Sequence, residues 1–113
     1  MVFIDSVKFG EIVIDGKTYY SDVAVSWDGS VEMRAKKHIF SLDDFKTLKK
    51  KGPDTVIIGS GEAGAMAVEG DVREAAGKEN IDFFVERSQQ AIRLFNSLVA
   101  AKRKAIAVIH TTC

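Results

Sequence analysis

The first third of the chain alternates between short apolar runs and turn residues. Two of these runs are interrupted by an Asp-Gly pair, Asp15-Gly16 within EIVIDGKTYY and Asp28-Gly29 within VAVSWDGSVEMRA. Asp-Gly is favoured in two-residue hairpin turns because both residues tolerate a positive φ angle. The pattern therefore predicts two successive hairpins that form an antiparallel lobe.

A first helix is predicted within HIFSLDDFKTLKKKGPD. Ser41 is a helix-capping residue, and Asp44 stands at the reciprocal position of a capping box. Phe40 and Phe45 have the spacing of a hydrophobic staple around that cap. Three lysines followed by a Gly-Pro pair then end the helix.

The remaining sequence alternates between strand and helix. TVIIG and AIAVIH are wholly or mainly apolar, as in buried parallel strands, and IDFFVE is a third strand. DVREAAGKEN places Asp71 and Glu74 at capping-box spacing, and SQQAIRLFNSLVAAKRK is an amphipathic helix capped by Ser88. This β-α-β-α-β order predicts right-handed crossovers between parallel strands, and therefore an α/β protein.

Gly59, Gly61 and Gly64 have the G-x-G-x-x-G spacing of a dinucleotide-binding turn. The preceding strand and the acid Glu86 fit that motif. The required helix is missing, because AMAVEG alternates as an extended segment before a new cap at Asp71. Without it, the pyrophosphate loses the aligned N–H groups that would hold it. We therefore predict a tight glycine turn and no cofactor.

The carboxyl ends of parallel strands share one edge, where α/β proteins bind their ligands. Three segments should meet there: GSGE, ERS and HTTC. His110 joins this edge. The candidate ligand-binding residues are Gly59, Ser60, Gly61, Glu62, Arg87 and Ser88.

His110 and Cys113 are the weak catalytic candidates. A thiolate beside an imidazole could be a nucleophile or half of a metal site. Two ligands make no closed zinc site, and the only other histidine is His38. We therefore predict no metal site and regard a cysteine on a frayed tail as the simpler alternative.

Two other side chains have open interpretations. Trp27 precedes a hairpin turn and could pack in the core or stack on a ligand. Asn96 interrupts the apolar face of the last helix, where it could bond neighbouring backbone or point into a crevice.

Composition narrows the classes of partner. Hydrophobic residues make up 46% of the 113 residues and charged residues 28%, as in ordinary globular proteins. The 16 basic and 16 acidic residues cancel, so the basic face of a nucleic-acid-binding protein is absent. No stretch approaches a membrane span, and the first apolar run is too short for a signal sequence. We expect residues 1–113 to form one cytoplasmic domain without nucleic-acid or membrane partners.

PDTVIIGSG, FNSLVAAKRKAIAVIHTTC and the hairpin-rich start together resemble a known family. It is the Mth-type domain shared by archaeal and bacterial hypothetical proteins, the adipogenesis-associated domain protein and a mitochondrial complex I assembly factor. The most specific parts are Phe95, Asn96 and Leu98 in the last helix, and His110, Thr112 and Cys113. The resemblance implies a three-layer α/β sandwich whose mainly parallel sheet carries an added β-hairpin layer. It supplies no established catalytic residues.

Two functional hypotheses follow. The first is a non-catalytic binding or assembly-type domain, in which a protein partner or a second copy meets the hairpin lobe or an exposed strand edge. The alternative is a small-ligand protein or enzyme that binds an anion or nucleotide through residues 59–62, with His110 or Cys113 as the reactive group.

Overall fold

The computed structural model describes residues 1–113 as an α/β sandwich of ten strands and three helices. The elements follow in the order β1 (Ile4–Lys8), β2 (Glu11–Ile14), β3 (Lys17–Tyr19), β4 (Asp22–Ser26), β5 (Val31–Arg34), β6 (Ile39–Phe40), α1 (Leu42–Lys49), β7 (Thr55–Gly59), β8 (Ala67–Val68), α2 (Gly70–Lys78), β9 (Asp82–Glu86), α3 (Ser88–Ala100) and β10 (Ala105–Ile109). None of the helices combines the length and apolarity that crossing a membrane requires.

The central sheet has five strands in the order β5-β4-β10-β7-β9. β10, β7 and β9 are parallel, which confirms the β-α-β-α-β prediction for the second half of the chain. Every residue of β7 and β10 is buried, as their continuous apolar sequences predicted. β4 pairs with β10 in antiparallel orientation, and β5 pairs with β4 in antiparallel orientation at the edge of the sheet.

Two layers cover this sheet, so the predicted three-layer sandwich is confirmed. On one face, α3 and the three-stranded sheet β1-β2-β3 enclose a core of 15 buried residues. On the other face, α1, α2 and the two-stranded β6-β8 sheet enclose a second core of 10 buried residues. Trp27 is half-buried and packs against the first core, which is the packing alternative of its two interpretations.

The two predicted hairpins exist, but they do not form one lobe. Asp15 and Gly16 have φ angles of 48° and 79°, the type I′ pattern. In the second hairpin only Gly29 has a positive φ, of 91°, and Ser26 pairs with Ser30 across a three-residue loop. This hairpin joins the central sheet because all five residues of β4 are buried, which requires a strand covered on both faces.

The predicted helix caps differ in outcome. Ser41 and Asp44 form the capping box, with bonds of 3.1 Å from Asp44 N to Ser41 Oγ and 2.8 Å from Ser41 N to Asp44 Oδ2. The Asp71 cap is wrong: the N-cap lies two residues earlier, at Glu69, which makes no side-chain cap bond, and Asp71 is already helical. The Ser88 cap is also wrong, because Ser88 is already the first helical residue.

Asn96 bonds to backbone and joins α3 to the added β-layer. Its Oδ1 accepts a hydrogen bond from Ile4 N at 2.9 Å, and its Nδ2 donates to Ile4 O at 2.9 Å. One amide side chain thus completes both main-chain groups of a residue in β1. The interpretation in which Asn96 bonds neighbouring backbone is the observed one.

Candidate functional site

The predicted carboxyl-edge residues are neighbours in space. Gly61 N donates to Ser88 Oγ at 2.9 Å, and that hydroxyl donates to His110 O at 2.7 Å. Ser88 therefore connects the segments that follow β7, β9 and β10, which explains why it does not cap α3. Arg87 lies beside Gly64, and Ser60 Oγ donates to Glu86 O at 3.0 Å.

The main-chain N–H groups of the glycine loop, defined as residues 60–65, are hydrogen-bonded to acceptors within the protein. Glu62 N donates to Thr112 O at 2.9 Å, and Ala63 N and Ala65 N donate to the main-chain oxygen of Cys113 at 3.2 and 2.9 Å. The other N–H groups of the loop are bonded to Glu86 O, Ser88 Oγ and Gly61 O. An anion would have to displace these bonds, so the loop is not the open N–H cradle of a phosphate site. Its helix is also absent, as the sequence predicted.

Gly61 is required by the close approach of residues 110–113 to the glycine loop. Its φ of +104° lies in a region that residues with a Cβ rarely adopt. A Cβ there would lie 2.6 Å from the carbonyl carbon and oxygen of Cys113, and 2.8 Å from His110 Cδ2. Cys113 is therefore held against the loop, and the frayed-tail alternative does not describe it.

His110 is completely buried and is bonded to a buried carboxylate. Its Nδ1 lies 2.6 Å from Asp22 Oδ2. Asp22 Oδ1 accepts two further bonds, from Thr111 N at 2.9 Å and Thr111 Oγ1 at 3.1 Å. Because the carboxylate accepts throughout, the Nδ1 proton of His110 points at Asp22, and Nε2 lies on the opposite side of the ring from the carboxylate. Nε2 lies 3.3 Å from Thr112 Oγ1.

His38 and Cys113 lie on the solvent side of His110. The His38 and His110 rings meet edge to face, with centroids 5.0 Å apart. Cys113 Sγ lies 3.8 Å from His38 Nε2. One potential ligand atom from each of His38, His110 and Cys113 lies within 4.8 Å of the others.

A cavity of about 340 Å³ opens beside the same edge. Glu62, Ser88 and His110 of the predicted set line it, as does Thr111. The remaining walls come from the end of β1 and the first turn of α3: Val7, Lys8, Phe9 and Gln89. Gln89 Nε2 fixes one wall by donating to Val7 O at 2.6 Å. Cys113 does not line the cavity.

Sequence reasoning missed the residues contributed by the first forty positions. Asp22 stands 88 residues before its partner His110, and no motif or spacing connects the two. The only signal was a carboxylate at the start of an otherwise buried strand, since such a charge needs a partner. His38 and the 7–9 cavity wall likewise depend on tertiary packing.

The fold occurs in several solved structures. A structure named MT938 is 28% identical over 100% of both chains, with a TM-score of 0.84. The conserved hypothetical protein PH1505 from Pyrococcus horikoshii OT3 is 23% identical over 97% of this chain and 98% of its own, with a TM-score of 0.85. A Bordetella pertussis protein named a Mth938-like domain is 14% identical over 96% of this chain and 85% of its own, with a TM-score of 0.63.

The predicted resemblance to Mth-type domains is thereby confirmed. The family described as "Protein of unknown function (DUF498/DUF598)" matches residues 4–110, which is nearly the whole chain. The chain belongs to the DUF498/DUF598 family and has the fold of Mth938-like domains.

Proposed function

We propose that this protein is a non-catalytic binding domain that docks an extended segment of a partner protein between the open edges of its two larger sheets. The docking surface is a shallow concavity of about 320 Å³, called here the Tyr20/Met33 surface. It is lined by Lys17, Thr18, Tyr19, Tyr20, Ser21 and Met33.

The strand order carries this proposal. β3 is the last strand of the three-stranded sheet, and β5 is the last strand of the five-stranded sheet. Each therefore has one side without a strand partner, and the Tyr20/Met33 surface receives residues from both. Open strand edges offer N–H and C=O groups to which an extended peptide can add as a further strand.

The side chains beside these edges suit protein recognition. Tyr20 is 78% exposed and Met33 is 73% exposed, and both residue types are enriched at the centres of protein interfaces. Lys17 is the only charged residue lining the surface, and its Nζ lies 5.1 Å from the centre of the Tyr19 ring. A partner of weak charge with one or two apolar anchors fits this composition.

The proposal includes a cytoplasmic location and an assembly-type role. The balance of 16 basic and 16 acidic residues favours neither nucleic acid nor an anionic membrane as the partner, which agrees with a protein partner. The resemblance to a family that contains an assembly factor supports the assembly-type role. A second copy of this chain is the competing occupant, and the experiment distinguishes the two.

The test compares Met33→Lys with the matched control Phe84→Lys. Phe84 is an exposed apolar residue on β9, the opposite edge of the same sheet. Partners are captured from the native host with each variant, and the binding segment is then mapped with synthetic peptides. We expect one peptide to bind the wild type and Phe84→Lys with similar affinity, and to bind Met33→Lys at least tenfold more weakly. The bound peptide should also protect the amides of β5 from hydrogen exchange.

Two results would overturn the proposal. One is equal loss or equal retention of the partner in both variants. The other is light scattering that finds a dimer in the wild type and a monomer in Met33→Lys, which would assign the surface to a second copy.

A second candidate function rests on the 340 Å³ cavity beside the carboxyl edge, whose volume is at the lower end of the range for small-molecule sites. Because the glycine-loop N–H groups are engaged, its ligand would be held by side chains. Lys8 and Glu62 line the cavity with opposite charges, which suits a small organic acid or a zwitterion.

A thermal-shift screen tests this candidate. Nucleotides, phosphates, organic acids and amino acids are screened against the wild type, Lys8→Ala and the control Lys78→Ala on the exposed side of α2. A compound that stabilises the wild type and the control but not Lys8→Ala supports the site. The absence of any such compound removes it.

A further inference from the structure

We propose that His38, His110 and Cys113 form a binding site for one borderline-soft divalent transition-metal ion, with Zn²⁺ as the reference case. The site would use two imidazole nitrogens and one thiolate, and it would leave a fourth position open. It shares no residue with the Tyr20/Met33 surface, so it stands independently of the docking function.

The spacing of the ligand atoms fits such an ion. Zinc bonds sulfur at about 2.3 Å and imidazole nitrogen at about 2.0–2.1 Å, so a tetrahedral ion separates sulfur from nitrogen by about 3.6 Å. Cys113 Sγ and His38 Nε2 are 3.8 Å apart. All three ligand atoms lie within 4.8 Å of one another. Closing this set around an ion requires side-chain shifts of roughly one ångström or less.

Asp22 prepares His110 for metal binding. Metal-binding histidines commonly donate their second ring N–H to a carboxylate, which fixes the tautomer and makes the free nitrogen a better donor. The 2.6 Å contact of Nδ1 with Asp22 has this geometry, and it leaves Nε2 as the metal-binding nitrogen. The Thr112 hydroxyl, 3.3 Å from Nε2, would turn aside when an ion enters.

The two exposed ligands stand on fixed backbone. His38 O accepts a hydrogen bond from Ala67 N at 2.8 Å, which fixes the residue beside β8. The main-chain oxygen of Cys113 accepts from Ala63 and Ala65. Both side chains face solvent while His110 is buried, so an ion can enter from one side and meet a rigid ligand behind it.

The donor set selects the class of ion. Thiolate and imidazole favour Zn²⁺, Co²⁺ and similar ions over Mg²⁺ and Ca²⁺, which prefer oxygen ligands. Three protein ligands with an open position resemble a reactive zinc centre more than a closed structural one. The open position could accept water or a donor group from a bound molecule.

The test is metal titration of the reduced, metal-free, untagged full chain. Native mass spectrometry counts bound Zn²⁺, and Co²⁺ absorption reports thiolate coordination and tetrahedral geometry. We expect one ion per chain and a thiolate-to-cobalt charge-transfer band. Cys113→Ser should abolish that band, and His38→Gln should weaken binding at least tenfold. Both residues are exposed, so these variants should fold as the wild type does.

Two further variants separate a built site from general surface binding. Asp22→Asn should weaken binding by about 10–100-fold while the cobalt band is retained at saturation, as expected for a positioning residue. Glu32→Gln, which changes an exposed carboxylate on β5 away from the cluster, should bind as the wild type does. The proposal fails if no ion binds at micromolar concentration, or if Cys113→Ser and His38→Gln bind Zn²⁺ as tightly as the wild type.

Discussion

Asp22 and His110 form a buried hydrogen-bonded pair that joins the start of β4 to the residue following β10. The Oδ2 to Nδ1 distance is 2.6 Å, and the two residues are 3% and 0% exposed. The second carboxylate oxygen accepts both the main-chain N–H and the hydroxyl of Thr111. A single carboxylate thus fixes the path of the chain as it leaves the central sheet.

We predict that Asp22→Ala destabilises the protein by about 2–4 kcal/mol, because it leaves buried donors of His110 and Thr111 without acceptors. Urea unfolding measures the loss. The control Glu32→Ala removes an exposed carboxylate of β5 that makes no side-chain hydrogen bond, and it should change stability by less than about 0.5 kcal/mol. Equal losses in the two variants would contradict the role given to the buried pair.

Gly61→Ala should displace residues 110–113 from the glycine loop. The new Cβ would meet Cys113 backbone at 2.6 Å in a left-handed conformation, so strain and steric overlap act together. We expect a loss of about 2 kcal/mol or more, with faster hydrogen exchange at Ala63 and Ala65.

Alanine substitutions at two other glycines distinguish the effect of backbone strain from that of steric overlap. Gly64 has a φ of +76°, but its nearest neighbour is 3.6 Å from the Cβ position, so Gly64→Ala should cost only about 1 kcal/mol of strain. Gly77 lies in α2 with open space around it, and Gly77→Ala should stabilise by about 0.5–1 kcal/mol. A Gly61→Ala protein as stable as Gly64→Ala would show that the close contact relaxes freely.

Local sequence signals predicted those parts of the fold whose cause is itself local. The capping box of Ser41 and Asp44, the type I′ turn at Asp15 and the wholly apolar β7 each depend on a few adjacent residues. The helix cap at Ser88 failed for the opposite reason. Its hydroxyl bonds Gly61 and His110, and those tertiary partners outweigh a local capping bond.

The sequence predicted the edge of the sheet at which the candidate site lies, but not all of the residues that form the site. Topology brings the residues after β7, β9 and β10 together, so Ser60, Ser88 and His110 could be placed as neighbours without coordinates. Asp22 and His38 could not be placed there, because they belong to an antiparallel strand and a connecting segment whose positions depend on tertiary packing. Because His38 packs beside His110 and Cys113, these three residues form a cluster of potential ligands that the His-x-x-Cys sequence alone does not show.

Asn96→Ala should loosen the added β-layer from α3. The variant removes both bonds to Ile4, one to its N–H and one to its carbonyl, at a cost of about 1–3 kcal/mol. Asn96→Asp should be at least as destabilising as Asn96→Ala at neutral pH, because it keeps the acceptor for Ile4 N but sets a carboxylate oxygen against the Ile4 carbonyl oxygen, where neither can donate.

Hydrogen exchange and urea unfolding together test the role of Asn96. We expect the amides of β1 to exchange faster in Asn96→Ala than in the wild type. The exchange rates of the β7 amides should change only as far as the global stability changes. The control Ser97→Ala changes an exposed neighbour on α3. Unchanged protection of β1 would show that apolar packing alone holds the layer.

Asp44 should make the stability of the protein depend on acid pH. Burial alone would raise the pKa of its carboxyl, but hydrogen bonds from Lys37 and Ser41 and the charge of Arg34 outweigh burial and lower it. A carboxyl whose pKa is lower in the folded state adds stability above its unfolded pKa of about 3.9. That contribution is lost as the pH falls through the folded pKa.

The comparison of wild type with Asp44→Asn isolates this contribution. At pH 7 we expect the variant to be less stable by about 1 kcal/mol, the usual value of a helix cap. The difference should shrink as the pH falls from about 5 toward 2, because the wild-type carboxyl then becomes neutral as well. Asp71→Asn is the matched control in the first turn of α2, where no side-chain cap bond forms, and its difference should be small at neutral pH. A gap between wild type and Asp44→Asn that stays constant or widens in acid would mean that the shape of the side chain, and not its charge, supports the start of α1.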